Sequence, residues 1–113
     1  MAELTAVFSA TGALAQTLPN WRARSQQLAM ANAVTQAIQS NSVLLAEAGT
    51  GTGKTLAYLM PALLSGGKIV ISTGTKALQD QLFHRDLPAA RRALKSPVSI
   101  ALLKGRANYV CQH

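Results

Sequence analysis

Residues 47–55 read Glu47-Ala48-Gly49-Thr50-Gly51-Thr52-Gly53-Lys54-Thr55, and directly before them Val43-Leu44-Leu45-Ala46 is an unbroken apolar run. Such a run, followed at once by glycines at 49, 51 and 53, is the pattern of a buried parallel strand entering a phosphate-binding loop. A helix is predicted to follow from Lys54 to about Ser65. Glycines let the backbone bend until successive N–H groups converge on phosphate oxygens, and the positive end of the following helix adds to the attraction. In this pattern the Lys54 ammonium reaches the β- and γ-phosphates of ATP and the Thr55 hydroxyl ligates Mg²⁺. Ala48 stands where the strict pattern has glycine, a departure the motif tolerates. Ala48, Gly49, Thr50, Gly51, Thr52, Gly53, Lys54 and Thr55 are the candidate nucleotide site; the alternative is a glycine-rich turn that only happens to precede Lys-Thr.

Upstream, Leu28, Ala31, Val34, Ala37 and Ile38 recur at helical spacing, which predicts an amphipathic helix over 25–40 that Asn41 and Ser42 end. Downstream, Gly66-Gly67 stop the helix after the loop, and Lys68-Ile69-Val70-Ile71-Ser72 has the β-branched content of a second buried strand. Residues 75–85 read as helix, Pro88 starts another short helix through Leu94, and Val98 to Leu102 is a third strand candidate after Pro97. Strands alternating with helices predict an α/β fold, a parallel sheet flanked by helices in three layers. Neither an internal repeat nor a low-complexity linker is present.

The chain has 113 residues, 49% of them hydrophobic, enough for one small folded domain. Lys and Arg number 11 against four acids, a formal charge of +7. That balance suits a polyanionic partner, and equally a solvated basic face whose counter-charges lie elsewhere. One cysteine, Cys111, excludes an internal disulfide and fits a reducing compartment. With no Lys or Arg before Arg22, the mildly apolar start lacks the charged region of a signal peptide, and no apolar stretch reaches bilayer length, so a cytoplasmic protein without membrane association is expected.

Other residues bear on ligands less directly. A Gln side chain donates to and accepts from the adenine edge at once, which makes Gln27, with Trp21 and Arg24 nearby, an adenine candidate. Trp21 reads equally as a hydrophobic staple and Gln27 as an exposed helix residue. The turn Thr73-Gly74-Thr75-Lys76 is a good helix cap on its own terms, and its outward N–H groups also suit phosphate contacts.

Taken together, the run from Glu47 to Thr55, Ile71-Ser72-Thr73-Gly74-Thr75-Lys76-Ala77-Leu78-Gln79-Asp80-Gln81-Leu82 and Leu103-Lys104-Gly105-Arg106-Ala107-Asn108-Tyr109-Val110-Cys111 resembles the superfamily-two helicases of the DinG/XPD type, and the bacterial YoaA-like branch in particular. Upstream, Gly12-Ala13-Leu14-Ala15, Pro19, Trp21, Arg24, Gln27 and Met30 are similar to that family's adenine-recognition segment, so the likeness runs from about residue 11 to the end. The resemblance implies a RecA-like P-loop domain, begun but not completed by residues 1–113, in an ATP-dependent DNA helicase that translocates 5′ to 3′ in DNA repair or replication. It further implies that Gln27 and Arg24, with Trp21, read adenine, and that Thr73 to Lys76 grip single-stranded DNA. Lys104 and Arg106 become DNA-facing cations, although solvated loop charges fit them nearly as well. By the same likeness Cys111 is the first of four thiolates around a 4Fe–4S cluster in a longer parent; on its own it reads as a packed or free thiol. Replication or repair proteins are the implied protein partners.

Hydrolysis in such motors needs one carboxylate to organise Mg²⁺ and another to orient water. After the loop the only acids are Asp80 and Asp86, both in a predicted helix. Residues 1–113 are therefore expected to bind nucleotide without catalytic residues of their own, as a truncated and marginally stable piece. Competing readings are another P-loop ATPase or nucleotide kinase, and a non-catalytic module that binds nucleic acid through charge.

Overall fold

The computed structural model describes residues 2–9, 11–18, 21–47 and 54–104. Among them the chain forms α1 (Ala2–Val7), α2 (Ala13–Thr17), α3 (Ser25–Ser40), α4 (Lys54–Leu64), α5 (Lys76–Gln81), a π-helical turn (Leu82–Asp86) and α6 (Leu87–Leu94).

α3 covers the predicted range. It ends where Asn41 enters the left-handed region (φ 52°) and the Ser42 N–H closes on the Ala37 carbonyl at 3.0 Å. Asn tolerates this conformation better than most residues, which is why the apolar pattern stops there. α4 stops one residue short of the prediction; Ser65 N–H still reaches the Pro61 carbonyl at 2.9 Å, and Gly66 (φ 74°) turns the chain away.

The two helices expected over 75–85 and 88–94 are one continuous rod. Leu82 is buried and Leu87 packs against the core, although they lie five positions apart, a spacing that would put them on different faces of an α-helix. The π turn resolves the conflict: Leu87 N–H bonds to the Leu82 carbonyl, and the wider turn returns the stripe of Leu82, Leu87, Ala90 and Leu94 to one side.

α3 and α4 make the most extensive helix pair, α1 packs against α3 and α2, and α6 lies against both α2 and α4. Leu4 and Phe8 from the first helical hairpin, Leu14, Ala31, Ala57, Leu59, Met60, Leu82 and Ala90 share one buried cluster. Fully buried alanines on both α3 and α4 suit a close pairing of the two helices. The hairpin of α1 and α2 was not expected from sequence. Gly12 makes it possible, since a Cβ there would collide with the Ala6 carbonyl oxygen.

The expected parallel sheet is not seen among the described residues. Residues 43–46, 68–72 and 98–102, expected as strands, form no strand among the described residues. A strand exists only through backbone pairing, and none is assigned to these segments. Their apolar side chains alternate as extended chain requires. Leu44 is partly covered while Val43 and Leu45 are each 97% exposed, and Ile71 packs on the core while Val70 is 94% exposed. Burial on both faces, expected of a parallel strand, is thus replaced by burial on one.

Candidate functional site

Lys54 is the first residue of α4 and is exposed, and Thr55 follows it half-buried. Farther along α4, Ala57, Leu59, Met60 and Pro61 are buried, so the core fixes the direction in which the Lys54 end points. Residues 48–53 of the phosphate loop lie outside the described residues. The groups present fit the phosphates of a nucleoside triphosphate: an ammonium and a hydroxyl at successive positions of a helix start, where unpaired N–H groups favour anions.

Of the adenine candidates, Gln27 is 3% exposed on the first turn of α3. Its reading as an exposed helix residue is therefore corrected: Gln27 lies on a helix that packs against both α4 and α1. Arg24 precedes α3 in extended conformation with its side chain exposed. Trp21 is half-buried; its indole Nε1 donates to the Ser9 carbonyl at 3.2 Å, and its ring sits 6.2 Å from that of Phe8. These contacts tie Trp21 to the α1–α2 hairpin.

The turn before α5 is built by threonines. Thr75 Oγ1 accepts the Leu78 N–H at 3.1 Å as the helix N-cap, and Thr73 Oγ1 donates to the Thr75 carbonyl at 3.5 Å. Gly74 and Lys76 are exposed, and nothing stands within 4 Å of where a Gly74 Cβ would be. Lys104 is half-buried; Arg106 and Cys111 fall outside the described residues. A 4Fe–4S cluster held by thiolates takes four of them, and with one cysteine in the sequence these residues do not fit a complete cluster.

Asp80 is half-buried on α5. Asp86 is tied within its own helix, accepting from Gln81 Nε2 at 3.2 Å and pairing with Arg85 at 3.3 Å. Sequence reasoning did not find Gln79, whose side chain crosses to the Leu103 carbonyl at 3.4 Å. No described helix is long and apolar enough to cross a membrane.

A family model for the DEAD/DEAH box helicase matches residues 24–107. The chain is 59% identical over 109 residues to the ATP-dependent DNA helicase YoaA of Haemophilus influenzae, a match that covers 96% of this chain and 17% of that protein. With YoaA of Escherichia coli the identity is 56% over 108 residues, with the same coverage of 96% and 17%. ATP-dependent helicase DinG of Mycobacterium tuberculosis is 48% identical over 98 residues, 80% of this chain and 15% of the relative. The chain thus spans only 15–17% of the length of these curated relatives. No solved structure matches it.

Proposed function

The chain belongs to the DEAD/DEAH box helicase family, as a YoaA/DinG-like segment with a RecA-like P-loop fold, and from that premise we propose that residues 1–113 are the N-terminal part of the first ATP-binding domain of an ATP-dependent DNA helicase. The segment ends, on this reading, at the first cysteine of an iron–sulfur region. The observation that carries the proposal is Lys54 with Thr55 at the head of α4, directly after the glycine loop. Residues 43–46, 68–72 and 98–102 are proposed as strands of the RecA-like sheet, which their one-sided burial and exposed apolar faces support.

Each part of the chain then has a task. The loop and Lys54 bind the phosphates, and Thr55 holds the Mg²⁺ that accompanies them. Gln27 and Arg24 face the adenine, with Trp21 fixing their approach to α3 through Ser9. Thr73 to Lys76, with Lys104 and Arg106, contact the backbone of single-stranded DNA. Bound ATP supplies the phosphoanhydride whose hydrolysis drives 5′ to 3′ translocation. Asp86 supplies no carboxylate to that step, since it is engaged with Gln81 and Arg85. Cys111 would be one thiolate toward a 4Fe–4S centre in a longer protein. The site of action is the bacterial cytoplasm, in repair or replication.

Titration with fluorescent ATP and Mg²⁺, beside Lys54→Ala, tests the reading. Abolished binding in Lys54→Ala with unchanged far-UV circular dichroism is expected. Equal affinity in the two proteins removes the nucleotide assignment.

A further inference from the structure

Residues 98–103 are held along the rod of α5, the π turn and α6 at two points. Arg91 Nη1 donates to the Val98 carbonyl at 3.3 Å, and Gln79 Nε2 donates to the Leu103 carbonyl at 3.4 Å. From Gln79 to Arg91 a helix rises about 18 Å, and from Val98 to Leu103 an extended chain covers about 16 Å. The two ties therefore match in span, and their crossed order makes the segment run antiparallel to the rod. The chain consequently leaves Leu103 at the N-terminal end of α5, beside the turn that Thr75 caps.

Gln79 is a poor choice for packing alone. Its Oε1 is buried with no hydrogen-bond partner, a cost that an apolar side chain of equal length would avoid. The Nε2 bond is what an apolar residue could not supply.

We infer that Gln79 is a positioning residue that docks the segment leading into Lys104 against the Thr73–Lys76 turn, so that Lys76 and Lys104 address one nucleic-acid backbone. The inference rests on the single-strand reading proposed for these residues and deepens it: two basic stretches distant in sequence act as one surface because a helix side chain holds the second in place.

Salt-dependent binding of labelled oligo(dT) to the 113-residue chain tests this. On a single strand, each phosphate that a cation neutralises adds about 0.7 to the steepness of log affinity against log salt. Lys76→Ala and Lys104→Ala are each expected to make the slope shallower by about that amount. In a Gln79→Met background, which keeps side-chain length and removes the donor, Lys104→Ala is expected to change nothing further while Lys76→Ala still acts. A full Lys104 increment in that background overturns the inference. A second readout does not depend on DNA: spin labels at Ala77→Cys and Ala101→Cys, with Cys111→Ser, should give a narrow distance distribution that broadens in Gln79→Met. An unchanged distribution overturns the positioning role. If Lys76→Ala leaves the slope unaltered in the otherwise native chain, the single-strand reading fails, and the label distances still decide what Gln79 does. Should Gln79→Met lower the helical circular dichroism, Gln79→Glu, which keeps an acceptor and removes the donor, carries both comparisons.

Discussion

The Trp21 indole N–H donates to the Ser9 carbonyl at 3.2 Å while its ring rests at 41° to Phe8, which joins the approach to α3 to the hairpin of α1 and α2. Trp21→Phe keeps the ring contact and removes the bond, so a loss of about 1 kcal/mol in unfolding free energy is expected, with any weakening of ATP binding appearing only together with it. Weaker ATP binding without a change in denaturation midpoint would place the indole in the adenine site.

Gly12 is the second element of that hairpin. Gly12→Ala sets a methyl against the Ala6 carbonyl, a backbone atom that cannot swing aside, and about 1–3 kcal/mol of destabilisation is expected from forced overpacking. Chemical denaturation followed by circular dichroism measures it, and a neutral result would mean that α1 and α2 are not packed as described.

How much of the fold is legible in the sequence follows from the range of each signal. α3 and α4 are readable because apolar spacing, Asn41 and the pair Gly66-Gly67 act locally. The short α1 lacks such bounds, although Leu4, Val7 and Phe8 recur at helical spacing. The apolar runs are rightly read as extended chain, but pairing between strands is non-local and no run encodes it. Pro88 reads as a fresh helix start, which hides the rod; the five-residue step from Leu82 to Leu87 is the available sign. At the site, Lys54 and Thr55 follow from the loop motif, whereas a side-chain amide reaching a carbonyl in another segment, as Gln79 does with Leu103, leaves no spacing to read.

Lys95 ends α6 in the left-handed region at φ 51°, with Ser96 N–H closing on the Arg91 carbonyl at 3.0 Å. Glycine takes this conformation without the steric cost a side chain incurs. Lys95→Gly is expected to stabilise the chain by roughly 0.5–1 kcal/mol, read as a higher denaturant midpoint; a lower one would contradict the cap geometry.

Val43, Leu45 and Val70 expose nearly their whole side chains, and unpaired extended segments with apolar faces invite association. The double variant Leu45→Lys with Val70→Lys is expected to reduce light scattering and dye binding at high concentration while leaving the helical signal intact. Scattering equal to that of the unmodified chain would locate the sticky surface elsewhere.

The π turn makes the phase of the rod depend on a single residue. Removing one position between Leu82 and Leu87 would leave sequence well suited to an uninterrupted α-helix, yet α6 would rotate by about 100°. Leu87, Ala90 and Leu94 would swing away from α2 and α4, and Arg91, now bonded to the Val98 carbonyl, would face another direction. In this rod a locally more regular helix is the globally wrong one, and the two ties that hold residues 98–103 keep step only because the extra residue is there.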